Sequence, residues 1–230
     1  MAITVLQPQW GASRPICGIF FDMDGLVLDS ERLYSRFWME AIHFYGFSIT
    51  KEQALGLRRL GKGPGQAHRT ACCGDGIDYT TIRQKRIELM SAYVDIHGID
   101  PKPGIYELMD YLEQAGIPAA ITSSSPMDSI LRHLTDANLC HRFQKLCSGH
   151  EVPNGKPAPD IYLHGAAVLG LKPENCLALE DSPAGILSAY RAGCLPVMVP
   201  DQDQPDEKTL PLLYAKADSL ADIITLLERK

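Results

Sequence analysis

In the segment Ile19-Phe20-Phe21-Asp22-Met23-Asp24-Gly25, two carboxylates stand at i and i+2 at the end of an apolar run. Cys17 to Phe21 is short, apolar and aromatic, the pattern of a buried strand. Residues two apart in a strand share a face, so Asp22 and Asp24 are expected to project side by side where the strand stops. Carboxylates that close repel, and one tends to keep its proton unless a cation lies between them. Three further groups of reactive types follow: Thr122-Ser123, Lys156 in Asn154-Gly155-Lys156-Pro157, and Glu180-Asp181. Singly, each has a plain structural reading. Thr122-Ser123-Ser124-Ser125 reads as a helix N-cap, Lys156 as a solvated loop lysine, and Glu180-Asp181 as acids favoured just before a helix. Jointly they suit phosphoryl transfer. Asp22, Asp24 and Asp181, with Glu180 beside them, make an all-oxygen set that fits Mg²⁺. Lys156, the Thr122 hydroxyl and the free N–H groups of a helix start can hold the oxygens of a transferring phosphoryl group. A carboxylate can itself be the nucleophile.

Such residues meet only if the intervening elements bring them together. After the first strand, Glu31 to Tyr45 reads as a capped helix closed by Gly46. Thr50-Lys51-Glu52-Gln53 has the capping-box pattern and opens a second helix, broken at Gly61-Lys62-Gly63-Pro64-Gly65. A third spans about Tyr79 to His97. Pro101-Lys102-Pro103-Gly104 then marks a change of rhythm. Helices at Ile105–Ala115, Pro126–Ala137, Pro159–Leu169, Pro183–Ala192 and Leu220–Arg229 alternate with strands at Pro118–Thr122, Gln144–Cys147, Cys176–Leu179 and Pro196–Val199. This alternation predicts right-handed crossovers and a doubly wound parallel sheet, an α/β (Rossmann-like) core with an inserted α-helical domain. The expected organisation is an N-terminal extension over 1–15, the core over 16–29 and 102–230, and the helical insertion over 30–101. All four reactive groups then fall at the carboxyl edge of the sheet, where such folds bind ligands.

Composition narrows the class. The chain has 230 residues, 45% of them apolar and 22% charged, enough for one large domain or two unequal ones. A net charge of −6 gives no electrostatic argument for nucleic acid or an anionic membrane, so neither is expected as a partner. No apolar run approaches the roughly 18 residues of a membrane span. Met1 to Arg14 lacks the pattern of a secretory signal and reads as a short lead-in, disordered if anything. Seven scattered cysteines, an odd number, fit reduced thiols in the cytoplasm better than a disulfide framework. A calcium loop is excluded because Gly25 stands at the fourth position and not the sixth. A phospho-receiver domain would lack the large helical insertion.

The motif set resembles that of the haloacid dehalogenase-like phosphohydrolases. Phe21-Asp22-Met23-Asp24-Gly25 resembles motif I and Ile121-Thr122-Ser123 motif II. Gly155-Lys156-Pro157-Ala158-Pro159-Asp160 resembles motif III, and Leu179-Glu180-Asp181-Ser182 motif IV. The resemblance covers about residues 16–225 and is strongest to the beta-phosphoglucomutase-like branch. It implies a phosphatase acting on a small phosphorylated metabolite, such as a sugar phosphate, through an aspartyl-phosphate. Asp22 would be the nucleophile and Asp24 the acid/base. Thr122, Ser123 and Lys156 would bind phosphate. Mg²⁺ would be held by Asp22, the backbone carbonyl of Asp24, Asp181, and Glu180 directly or through water. A monomer is expected. The alternative is a sugar phosphomutase, but that branch carries a cap histidine where Tyr34 stands here, and an arginine after a Gly-x-Ser turn where Gly61–Gly65 stands. Lys62, Arg58, Arg59 and His68 are candidate contacts to the leaving group.

Overall fold

The computed structural model describes residues 3–11, 15–58 and 79–228. Strand β2 (Gly18–Phe21) is buried along its whole length. A strand covered on both faces has no polar side to alternate with, which is why it reads as a continuous apolar run. It pairs in parallel with β3 (Ala119–Ser123) on one side and β5 (Cys176–Glu180) on the other. With β1 (Ile3–Val5), β4 (Lys145–Ser148), β6 (Leu195–Met198) and β7 (Ala215–Ala217), the sheet runs β1-β7-β6-β5-β2-β3-β4. The chain thus leaves β2 for β3 and β4, then returns to the far side of β2 for β5, β6 and β7. That reversal opens a crevice at the carboxyl end of β2, between β3 and β5.

The sheet is not wholly parallel. The sequence carries no strand signal before Cys17, yet Ile3 and Val5 lie opposite Ala217 and Ala215 in an antiparallel pair. This closes the β7 edge, and one turn of helix, α1 (Pro8–Gly11), follows. Five crossover or flanking helices cover the sheet: α5 (Ile105–Ala115), α6 (Met127–Asp136), α7 (Asp160–Leu169), α8 (Pro183–Ala192) and α9 (Asp222–Glu228). Phe20, Ala120, Cys147, Tyr162, Ala166, Ala178 and Ala189 share one buried cluster between sheet and helices.

The chain divides into two compact units, the sheet-bearing one (through Asp29, and from Asp100 on) and a helical one (Ser30–Ile99). In the helical unit, α2 (Ser30–Phe44), α3 (Lys51–Arg58) and α4 (Tyr79–His97) enclose Trp38, Ala41, Ile42, Ala54, Leu57 and Ile82. Trp38 stacks on Tyr79 with ring centroids 5.4 Å apart. The capping box forms: the Thr50 amide donates to Gln53 Oε1 (2.8 Å) and the Gln53 amide to Thr50 Oγ1 (3.2 Å). The break expected at Gly61–Gly65 lies outside the described residues, as do Arg59, Lys62, His68 and the side chain of Arg58. Among the described residues, no helix is long and apolar enough to cross a membrane.

Candidate active site

Asp22 is the first residue beyond β2, and its amide donates to the Leu179 carbonyl (3.0 Å), so the β2–β5 register fixes where it stands. Glu180 ends β5 with its surface wholly buried, and Asp181 follows, also buried. One carboxylate oxygen from each of Asp22, Glu180 and Asp181 lies within 4.8 Å of the others. Lys156 comes from the loop between β4 and α7. Its Nζ lies 2.5 Å from Asp22 Oδ1 and 2.5 Å from Glu180 Oε1. The loop that delivers it is tied down on both sides. Ser188 donates to the Ala158 carbonyl (2.5 Å), Arg191 to the Pro157 carbonyl (3.0 Å), and Asn154 Nδ2 to Asp160 (3.0 Å).

Glu180 has more partners than its sequence position discloses. Tyr162, fully buried on α7, donates its hydroxyl to Oε1. Ser182 donates to Oε2 (3.3 Å) while accepting from the Gly185 amide (3.1 Å) as the N-cap of α8. Ser182 carries a readable signal, an Asp-Ser-Pro start to a helix. Tyr162 carries none, because nothing local distinguishes a core tyrosine whose hydroxyl meets a carboxylate from one whose hydroxyl reaches water.

Burial is the largest influence on Asp22 and pushes its carboxyl up to about 8, against Lys156 and with the neighbouring Glu180 and Asp24 charges. Burial would lower Lys156, but the Asp22 and Glu180 carboxylates outweigh it and raise the ammonium above its usual range. Tyr162 is raised by burial and by Glu180. When ionised, the three carboxylates and one ammonium sum to −2. An all-oxygen, doubly negative and buried group fits a small hard divalent cation such as Mg²⁺.

Asp24 stands apart from this group. Side-by-side projection from a strand does not occur, because β2 ends at Phe21 and both acids lie beyond its ladder. Asp24 is instead in a turn closed by the Gly25 amide on the Leu28 carbonyl (2.9 Å), with Gly25 at φ 86°. Its Oδ2 accepts a hydrogen bond from Ser125 Oγ (2.8 Å). Thr122, at the end of β3, is fully buried, and its hydroxyl donates to the Phe21 carbonyl (3.3 Å). The serines after it do not cap α6. That helix starts after Pro126, with no side-chain cap bond, and Ser123 Oγ accepts the Ser125 amide (3.1 Å).

Comparison with known proteins places this site in context. Residues 16–193 match the family model of the haloacid dehalogenase-like hydrolases. The chain is 35% identical over 219 residues to the "Probable pseudouridine-5'-phosphatase" of Drosophila melanogaster, covering 91% of this chain and 92% of that one. It is 34% identical over 185 residues to hexitol phosphatase A of Escherichia coli, covering 77% and 80%. A HAD family hydrolase from Deinococcus radiodurans, solved with bound phosphate and sodium, has the same fold. The TM-score is 0.79 at 24% identity, with 94% of this chain and 97% of that one covered.

Proposed function

The chain belongs to the haloacid dehalogenase-like hydrolases, and from that premise we propose that it is a Mg²⁺-dependent phosphatase of small phosphorylated metabolites, working through an aspartyl-phosphate on Asp22. The observation that carries this reading is Lys156 Nζ lying 2.5 Å from both Asp22 and Glu180, with Asp181 in the same buried group. Attack on phosphorus requires Asp22 as carboxylate. Burial opposes that state, while Lys156 favours it.

The Asp22 carboxylate attacks in line, forming a bond to phosphorus as the bond to the leaving oxygen breaks. Asp24 gives that oxygen its proton. Asp24 then takes a proton from water, whose oxygen attacks the same phosphorus and releases inorganic phosphate, restoring the Asp22 carboxylate. Lys156 and Ser123 hold the phosphoryl oxygens, joined by the Thr122 hydroxyl when it turns away from the Phe21 carbonyl. Asp22, Asp181 and Glu180 with the Asp24 carbonyl are the residues that would hold Mg²⁺, which when bound supplies positive charge against the crowded oxygens. Residues 30–101 are assigned to the inserted helical domain, and 16–29 with 102–230 to the catalytic core.

The leaving group is most simply a sugar or sugar-like alcohol. Relatives at 35% and 34% identity are named for a pseudouridine-5'-phosphatase and a hexitol phosphatase. Hydrolysis is favoured over phosphomutase chemistry by Tyr34, whose ring lies 4.8 Å beneath the Arg86 guanidinium where the mutases carry histidine. The five described cysteines are all free, which suits a reducing compartment such as the cytoplasm. The test is phosphate release from p-nitrophenyl phosphate and from a panel of sugar phosphates, nucleoside monophosphates and phosphoglycolate, with and without Mg²⁺. Metal-dependent turnover supports the reading, and phosphate transfer within glucose 1-phosphate without hydrolysis overturns it in favour of the mutase.

A further inference from the structure

We propose that Ser125 is a positioning residue for Asp24, held in place by Ser148, an inference that rests on the acid/base role given to Asp24 above. Ser125 Oγ donates to Asp24 Oδ2 at 2.8 Å. The hydroxyl has no capping duty to perform, since α6 is entered through Pro126 without a side-chain cap. The backbone of Ser125 is pinned at both of its polar atoms. Its amide donates to Ser123 Oγ (3.1 Å), and its carbonyl accepts from Ser148 Oγ (2.7 Å). Ser148 is fully buried at the end of β4. Its amide donates to Glu151 Oε2 (2.9 Å) and its hydroxyl accepts from the His150 amide (3.1 Å).

The loop after β4 is joined to the loop after β3 a second time, by the Gly149 amide on the Ser123 carbonyl (2.7 Å). A Cβ on Gly149 would come within 3.1 Å of Ser124 Cα, so the two loops are in close backbone contact. Ser125 therefore stands on a platform made by two adjacent strand ends and fixed by hydrogen bonds. Asp24 sits in the turn beyond the β2 ladder and is partly exposed. A donor on a rigid mount restricts the rotamer of the carboxylate it meets. Such restriction matters for proton transfer, because the acid must lie within hydrogen-bond reach of the leaving oxygen. Ser125 touches neither phosphorus nor leaving group in this role; it aims the residue that does.

The consequence is specific. Loss of Ser125 disables protonation of the leaving oxygen, which a basic leaving group needs and p-nitrophenolate does not. The experiment compares phenyl phosphate with p-nitrophenyl phosphate in rapid-quench burst measurements on the Mg²⁺-loaded protein. Ser125→Ala is expected to slow phosphoryl-enzyme formation from phenyl phosphate by about 10- to 100-fold, the range for a hydrogen bond to a charged group. With p-nitrophenyl phosphate the burst survives with little change, and KM moves less than kcat for both. Ser125→Thr restores the hydroxyl and the phenyl phosphate rate, and Ser148→Ala gives a weaker form of the same discrimination. Equal slowing of both esters by Ser125→Ala, or slowing of neither, overturns the proposal while leaving the phosphatase reading intact. Asp24→Asn run alongside separates the two: if it fails to discriminate between the esters, the acid/base role falls and the positioning role with it.

Discussion

A Cβ built on Gly185 would lie 1.9 Å from Oε2 of Glu180, because the first turn of α8 packs its backbone directly on that carboxylate. Glu180 is wholly buried and already engages Lys156, Tyr162 and Ser182, so it has no free direction in which to move. Gly185→Ala is expected to displace Glu180, to destabilise the protein by about 1–3 kcal/mol as an overpacked site, and to lower kcat/KM by roughly 100-fold as Lys156 loses its alignment. Thermal melting and steady-state kinetics check both halves. A variant with wild-type values would mean that the α8 backbone yields freely and that Glu180 is not tightly placed.

Removing the ammonium between Asp22 and Glu180 should expose the charge imbalance of the site. In EDTA, Lys156→Met leaves three buried carboxylates without their nearest cation, and a loss of about 3 kcal/mol is expected from the uncompensated charge. Mg²⁺ should recover part of that loss. In the wild type, a cation at 100 times its dissociation constant adds about 2.7 kcal/mol, and Asp181→Asn should abolish most of the gain. Melting temperatures with EDTA and with a Mg²⁺ series read this out. Melting that ignores Mg²⁺ in the wild type would remove the metal from the account.

Deleting the residues that form β1 is expected to lower the melting temperature and promote aggregation, since β7 would then present an unpaired edge. Catalysis, measured where both proteins are folded, should be unchanged, because two strands separate β1 from β5, and three from β2, in the sheet order. Unaltered melting would show that the antiparallel pair contributes nothing to stability.

That edge is also the part of the fold least legible in the sequence. Ile3-Thr4-Val5 and Ala215-Lys216-Ala217 are three residues each, too short for a period to register, and they pair across most of the chain's length. The helix at Tyr79–His97 was legible because it is long and closed by glycine, and strands β2 to β6 because each is a short, mostly apolar run between helices. A parallel sheet returns every strand in the same direction, so residues at successive strand ends collect on one edge. Asp22, Lys156, Glu180 and Asp181 could therefore be grouped from sequence. Which partner each side chain takes could not be. Ser125 with Asp24 and Tyr162 with Glu180 are choices of rotamer made by packing between distant elements.

The buried thiols give a pH dependence. Burial is the main cause raising Cys147 to about 11 and Cys176 to about 12, from an ordinary value of 9.0, and it raises Cys194 as well. Below pH 9 the folded and unfolded chains both keep these protons, so stability does not depend on them. Above it, the unfolded chain releases protons that the folded chain retains, and stability should fall as pH rises from about 9 to 12. At neutral pH, iodoacetamide should modify partly exposed Cys17 and Cys140 well before these three. Peptide mapping after brief alkylation checks the order, and early labelling of Cys147, Cys176 or Cys194 would contradict it.

The central claim is that Asp22 carries the phosphoryl group. Its most direct test is to mix the Mg²⁺-loaded protein with p-nitrophenyl phosphate, quench in acid within one turnover, reduce with borohydride, and map the peptides. An acyl phosphate on an aspartate is reduced to homoserine, which the account expects at position 22 alone, only when substrate and Mg²⁺ are both present, and with no turnover by Asp22→Asn. Reduction at another residue, or no reduction from a protein that turns over while Asp22→Asn remains active, would contradict it.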